Sequence, residues 1–204
     1  MSNPFDSLEE STSQWSVSEE GLELEYDGSF LPSEVADTLF EALLHEVSWK
    51  RPVVQTPGGP KKVPRMISWH ADPGLTYSYS GLTHAWKPWT PAMLDIRDRL
   101  KERVGIVFNG CLANLYENER DSVSMHADDE DDMEPGAPIA SVSLGGVRDF
   151  VVKHNLTKSR RVISLEHGSL ILMGGRTQEV SRHGIPKATY ACERRINLTF
   201  RRTR

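Results

Sequence analysis

Three groups of residues in this chain have types and spacings suited to chemistry. His126-Ala127-Asp128 sets an imidazole and a carboxylate two residues apart, which on a strand puts both on one face, able to grip one metal ion. The tripeptide recurs at His70-Ala71-Asp72, but that copy runs into Pro73-Gly74, where the expectation is a turn whose aspartate bonds its own backbone. A metal at 126 needs another histidine. His154-Asn155 and His167-Gly168 read as solvated turn positions, whereas His183 closes the strand-like stretch 179–183. Two histidines and a carboxylate with open positions remaining indicate a non-haem iron(II) oxygenase, and a hydrolytic zinc site is the alternative.

The second group is Arg195-Ile196-Asn197-Leu198-Thr199-Phe200-Arg201. On a strand, Arg195, Asn197, Thr199 and Arg201 face one way and the apolar residues the other. An ordinary half-solvated strand would look the same. Two arginines on one face, closely following a metal histidine, suit a small dicarboxylate, because guanidinium pairs bidentately with carboxylates. A hydrolytic zinc site needs no such clamp. The third group, Asn114-Leu115-Tyr116, adds two donors with the same spacing upstream of His126.

These residues need a frame. Everything after Gly105 reads as short strands, at 105–116, 139–144, 148–153, 161–165, 169–173, 179–183 and 194–201, punctuated by Gly, Asn and Pro. Many short strands separated by turn signals indicate a mainly β chain, a sandwich or jelly roll. Before them, 22–26 alternates like a strand, Pro32-Ser33 opens an amphipathic helix over 34–47 with an N-cap, and 51–65, with four prolines and two glycines, is a loop or hairpin. Thr90-Pro91 starts a second helix over 92–103.

A length of 204 residues with 38% hydrophobic residues suits one well-buried core. The expected organisation is a flexible acidic start over 1–20 and a single domain over 21–204, with core strands at about 105–204. The start lacks the basic and apolar regions of a secretory signal, and no run approaches the roughly 18 apolar residues of a membrane span. An intracellular monomer without a membrane partner is expected, cytoplasmic in a bacterium and nuclear in a eukaryote. Cys111 and Cys192 both read as buried structural thiols. The net charge of -5 argues against a polyanionic partner, but Lys61, Lys62, Arg65, Lys153, Lys158, Arg160, Arg161 and the C-terminal arginines form basic clusters that allow one.

In combination, Asn114-x-Tyr116, His126-x-Asp128, His183 and Arg195-x-Asn197-x-Thr199-x-Arg201 resemble the AlkB family of oxidative nucleic-acid demethylases. Pro64-Arg65, Gly74-Leu75-Thr76-Tyr77, Ser80-Gly81-Leu82-Thr83, Lys87-Pro88-Trp89, 138–143 and Arg148-Asp149-Phe150 are similar to the branch that repairs double-stranded DNA. The resemblance implies a double-stranded β-helix with N-terminal helices packed on one sheet. It implies iron(II) on His126, Asp128 and His183, with O2 and 2-oxoglutarate as co-substrates. Arg201 would lie near the keto-acid end, Arg195, Asn114 and Tyr116 would hold the distal carboxylate, and Asn197 and Thr199 would line the same pocket.

The implied reaction is removal of N-alkyl groups from bases in single- or double-stranded DNA, with formaldehyde and succinate as products. RNA, protein or a small metabolite are the alternative substrates, and a nucleic-acid-binding module with a dead metal site is the non-enzymatic reading. A base must leave the duplex to reach a recessed site. Tyr79 matches the position of an aromatic that stacks on the flipped base, and Tyr77, Ser78, Asp129 and Glu130 match other base-pocket positions. The chain departs from the double-strand branch in one respect: its hairpin, Thr56-Pro57-Gly58-Gly59-Pro60-Lys61-Lys62, has no aromatic wedge of the kind that unstacks a duplex.

Overall fold

Alternation of polar and apolar residues through the second half of the chain builds two facing antiparallel sheets. A computed structural model describes residues 14–56, 58–79 and 82–204, excepting the side chains of 56, 77–79 and 82–84. In chain order the elements are β1 (Gln14–Glu19), β2 (Leu22–Asp27), α1 (Ser33–Glu46), β3 (Val53–Thr56), β4 (Gly59–Lys62), β5 (Met66–Ala71), β6 (Tyr77–Tyr79), β7 (Leu82–His84) and α2 (Pro91–Val104). They continue with β8 (Gly110–Tyr116), β9 (Val123–His126), β10 (Ile139–Gly145), β11 (Arg148–His154), β12 (Arg160–Leu165), β13 (Leu170–Gly175), α3 (Thr177–Val180), β14 (Ser181–Ile185) and β15 (Arg195–Arg201).

The large sheet has the order β1-β2-β13-β10-β15-β8-β5, and the small sheet β12-β11-β14-β9. From β8 to β15 the chain crosses repeatedly between the two sheets, which winds them into the expected double-stranded β-helix. The helices cover the outer face of the large sheet. Leu39 and Leu43 of α1 and Met93, Ile96 and Leu100 of α2 share one buried cluster with Ala113, Leu115, Val142, Leu144, Ile196, Leu198 and Phe200. A second cluster, including Tyr116, Phe150, Val152, Ile163, Ile171, Met173 and Ile185, fills the space between the sheets. No described helix is long and apolar enough to cross a membrane.

Several expectations need correction. Strand β1 begins at Gln14, inside the stretch expected to be flexible: Trp15 stacks on Tyr26 at 5.6 Å, and Arg161 bridges to Glu19 at 2.7 Å. Helix α1 has no side-chain cap, whereas α2 is capped by Thr90 Oγ1, which accepts from Met93 N at 3.3 Å. Strand β8 starts at Gly110 rather than at 105, since Gly105 is the left-handed C-cap of α2 at φ 72°. Residues 177–180 form a helical turn, so the strand bearing His183 starts only at Ser181. Residues 53–62 do form a hairpin, β3–β4.

Strands β5 and β9 were not expected. The first contains the other His-Ala-Asp copy: His70 is buried, with Nδ1 2.6 Å from Pro88 O and Nε2 3.0 Å from Ser68 Oγ. The Asp72 carboxylate accepts from Trp89 Nε1 at 2.8 Å instead of closing its own turn. Both side chains are engaged in packing the β5 edge. His154 is also buried rather than solvated, its Nδ1 accepting from Leu156 N and Thr157 N and closing the β11–β12 turn. His167 Nδ1 accepts from Gly145 N at 2.7 Å. Cys111 is buried, its thiol pushed above the ordinary range by burial, but Cys192 lies half-exposed outside any strand; both are free.

Candidate metal centre and co-substrate pocket

The small sheet supplies the two histidines. His183 of β14 and His126 of β9 are direct cross-strand partners, with ring centroids 4.5 Å apart. Close approach of these strands depends on Gly184, where a Cβ would stand 2.8 Å from Val123 O. Phe150 of β11 packs 5.2 Å from the His183 ring and fixes its orientation. Asp128 follows the end of β9 rather than lying on it, so the shared strand face expected of His126 and Asp128 is not what joins them. Asp128 is placed instead by its own contacts: its N donates to Gln178 Oε1 at 2.9 Å, tying the loop to α3.

The three side chains converge. Asp128 Oδ1 is 3.5 Å from His126 Nε2, and Oδ2 is 3.6 Å from His183 Nε2. One ligand atom from each residue lies within 4.8 Å of the others, the only such group of three among the described residues. His126 Nδ1 donates to Ser124 O at 2.9 Å, which fixes the tautomer and leaves the Nε2 lone pair for an ion. Buried His183 Nδ1 has no partner among the described residues. Two imidazoles and a buried carboxylate, crowded round a point none of them fills, fit a divalent metal.

The large sheet faces this cluster with the arginine strand. Arg201 Nη2 donates to Asp128 Oδ1 at 2.6 Å. Burial alone would raise the Asp128 pKa, but the Arg201 charge, together with the two neighbouring imidazoles, holds its carboxyl well below the usual range. Burial also works against a charged His126, yet Asp128 and the Ser124 carbonyl outweigh it and raise that imidazole above its ordinary value. For His183 burial wins, and its pKa is lowered despite Asp128.

Strand register places the remaining donors in tiers. Arg195 stands opposite Tyr116 and Asn197 opposite Asn114, with Ser143 and Ser141 of β10 beside them. Arg195 Nη2 donates to Ser143 Oγ at 2.8 Å, and Asn197 Nδ2 donates to Ser141 Oγ at 2.7 Å. Thr199 Oγ1 donates to Asn197 Oδ1 at 3.1 Å. Asn114 Oδ1 is taken by Arg65 Nε at 2.7 Å. The Arg195 guanidinium is fully buried and lies 5.1 Å from the Tyr116 ring centre. Its Nε and Nη1 make no hydrogen bond of good geometry, and although the adjacent Tyr116 hydroxyl favours the charge, burial pushes the guanidinium down to about 10. A buried, incompletely satisfied cation at the end of a polar cavity fits the carboxylate of a small acid.

His126, Asp128, His183, Asn114, Tyr116, Arg195, Asn197, Thr199 and Arg201 thus line one cavity between the sheets. Arg65, Ser141 and Ser143 belong to the same site but were not expected there. Arg65, expected in a surface basic cluster, is only 5% exposed. Only its place next to Pro64 in the family match pointed to it. Asp129 is exposed and Glu130 half-buried; they line an adjoining depression with Met133, Glu134 and Gln178 rather than this cavity. The side chains of Tyr77, Ser78 and Tyr79 lie outside the described residues, although their backbone forms the β6–β7 hairpin.

Comparison with known proteins agrees with this geometry. The model of the 2OG-Fe(II) oxygenase superfamily matches residues 24–201. DNA oxidative demethylase ALKBH2 of Homo sapiens is 40% identical over 194 residues, covering 90% of this chain and 74% of the relative. The Mus musculus protein of that name is 39% identical, covering 90% and 81%. Alpha-ketoglutarate-dependent dioxygenase alkB homolog 3 of Homo sapiens is 36% identical over 182 residues, covering 84% and 63%. The solved structure of OsALKBH1 shares the fold, with a TM-score of 0.65 at 16% identity over 93% of this chain and 99% of the other. A prolyl hydroxylase from Trichoplax adhaerens does so too, with a TM-score of 0.60 at 11% identity over 87% and 83%. The chain therefore belongs to the 2OG-Fe(II) oxygenase superfamily and, within it, to the AlkB family of dioxygenases.

Proposed function

We propose that this chain is an iron(II)- and 2-oxoglutarate-dependent dioxygenase that removes alkyl groups from N-alkylated bases in DNA. The observation that carries the reading is the fully buried Arg195, aimed into the cavity that also contains the His126, Asp128 and His183 cluster. A hydrolytic metal site has no use for that cation, whereas a dicarboxylate co-substrate requires one. The names of the relatives at 36–40% identity supply the substrate class.

In this reading His126 Nε2, His183 Nε2 and the Asp128 carboxylate hold the iron. Bound iron(II) and 2-oxoglutarate supply the oxidation: O2 is consumed, the co-substrate becomes succinate and CO2, and the N-alkyl carbon leaves as an aldehyde, formaldehyde for a methyl group. Arg195, with Tyr116 and Asn114, holds the distal carboxylate of 2-oxoglutarate. Asn197 and Thr199 line the channel beside it. Arg201 keeps Asp128 ionised and oriented, so that the carboxylate is a ligand over the whole neutral range. Phe150, Met173 and Ile185 give that cavity an apolar wall.

Tyr77, Ser78, Tyr79, Asp129 and Glu130 are proposed to receive the base, which must be extruded or already unpaired. The absence of an aromatic from residues 56–62 favours lesions that weaken pairing, and single-stranded over duplex substrates. The test is 2-oxoglutarate decarboxylation in the presence of matched alkylated and undamaged oligonucleotides, single- and double-stranded. Stimulation by the alkylated strands alone supports the reading; equal succinate formation with both refutes it.

A further inference from the structure

Three of the largest fully buried side chains are arginines, and two of them have an evident role: Arg201 pairs with Asp128, and Arg195 lines the cavity. The third, Arg148, does neither. It opens β11, is 1% exposed, and has no ion pair among the described residues. Its acceptors are three backbone carbonyls: Nη1 donates to Asn118 O at 3.3 Å, and Nη2 donates to Asp121 O at 2.9 Å and to Pro186 O at 2.6 Å. Carbonyl dipoles satisfy the N–H groups but leave the charge without a counter-ion, which makes it a costly occupant of a core position.

What that cation touches gives the reason for it. Asn118 and Asp121 lie in the loop that follows Tyr116, and Pro186 follows β14, the strand of His183. The guanidinium carbon of Arg148 lies over the Tyr116 ring, 5.6 Å from its centre, and that of Arg195 lies over the same ring at 5.1 Å. Tyr116 ends β8 directly opposite Arg195 and is 2% exposed, with its hydroxyl beside the Arg195 guanidinium. A tyrosine carries its hydroxyl beyond two side-chain torsions, so the hydroxyl is only as well placed as the ring. Arg148 packs on that ring while carbonyls of two loops hold it in turn. A planar guanidinium suits the task, because it stacks on an aromatic face and donates in its own plane at once.

We propose that Arg148 is a positioning residue for the co-substrate: it stands outside the cavity and holds the Tyr116 ring so that the hydroxyl, together with Arg195, meets the distal carboxylate of 2-oxoglutarate. Holding the ring before the acid arrives spares the complex the cost of ordering it on binding. The inference rests on the assignment of Arg195, Tyr116 and Asn114 to that carboxylate, and it is independent of which nucleic acid is the substrate.

The experiment is titration calorimetry of the full chain loaded with manganese(II), comparing 2-oxoglutarate with 2-oxopentanoate, in which a methyl group replaces the distal carboxylate. Both acids present the same keto-acid end to the metal, so the ratio of their affinities reports the distal contact alone. Arg148→Met should weaken 2-oxoglutarate roughly tenfold, the scale on which residues behind a ligand act, and leave 2-oxopentanoate and manganese(II) within about twofold. Arg148→Lys keeps the buried charge but lacks the planar fork; it should show the same selective loss, and it decides the matter if Arg148→Met does not fold. Tyr116→Phe removes the hydroxyl, and adding Arg148→Met to it should weaken 2-oxoglutarate by less than about twofold more, since both changes remove one contact.

Equal weakening of both keto acids, or of the metal, would give Arg148 a role in the fold alone and overturn the proposal. Unchanged affinities in both variants, or a further loss of roughly tenfold on top of Tyr116→Phe, would overturn it too. Each of these leaves the demethylase reading standing as long as the wild-type protein prefers 2-oxoglutarate to 2-oxopentanoate. A wild-type protein that does not discriminate between the two acids instead removes the distal-carboxylate site, and with it both the role of Arg148 and the observation on Arg195 that carries the demethylase reading.

Discussion

Arg201 and Asp128 form an ion pair at 2.6 Å with both side chains 2% exposed, joining the last strand of the large sheet to the metal cluster of the small one. A buried carboxylate without its partner is an uncompensated charge. Arg201→Met should therefore destabilise the metal-free protein by about 3–5 kcal/mol, as for other broken buried pairs. The loss should shrink when a divalent ion occupies the site and takes over neutralisation of Asp128. Denaturant unfolding with and without manganese(II) measures both; equal losses in the two conditions would show that Asp128 does not face the metal.

Arg195→Met keeps most of the side-chain volume and removes the charge. A charge-assisted bidentate contact is worth about 1.5–3 kcal/mol, so the KM for 2-oxoglutarate should rise by roughly 10- to 100-fold, with a much smaller change in kcat. Initial-rate kinetics at saturating oligonucleotide separate the two. An unchanged KM would remove Arg195 from the co-substrate site.

Metal affinity should weaken as the pH falls. Asp128 stays ionised, but His126, raised above 6.5, carries a proton that an incoming ion must displace. Proton release on manganese(II) binding, measured by calorimetry in buffers of different ionisation heat, should grow as pH falls towards 6.5. Affinity independent of pH between about 6 and 8 would contradict the ligand role of His126.

His70 predicts a pH effect on stability instead. Burial, together with the Lys87 charge, holds its pKa below 6.5 despite the Pro88 carbonyl, so the folded chain resists a proton that the unfolded chain accepts. Its contribution is therefore present above pH 6.5 and is lost as pH falls through and below that value. His70→Gln should flatten the acid side of the stability profile between about pH 7 and 5, followed by thermal unfolding. An equally steep profile in the variant would assign the acid loss elsewhere.

The parts of the site that could be read from the chain were those with a short sequence period. Arg195, Asn197, Thr199 and Arg201 alternate with Ile196, Leu198 and Phe200, and the structure buries both sets, one against the cavity and one against the helices. What the period could not convey is partnership across strands. Arg65 reaches Asn114 from 49 residues away, and Gln178 reaches the Asp128 backbone from 50, each through a single polar contact with no local signature. Strand β1 was hidden by its Ser- and Glu-rich composition, since only Trp15 and Val17 mark its inner face. His154 was misplaced because a histidine before Asn resembles a solvated turn, whereas its ring is the acceptor that closes that turn.

The most direct measurement is incubation of the iron-loaded protein with 2-oxoglutarate and oligonucleotides bearing 1-methyladenine or 3-methylcytosine, scoring repaired base, formaldehyde and succinate together. One formaldehyde per repaired base is expected, with Asp128→Ala abolishing both while leaving the chain folded. Succinate formation that responds only to a protein or small-molecule substrate, with the methylated bases untouched, would contradict the assignment of this site to nucleic-acid repair.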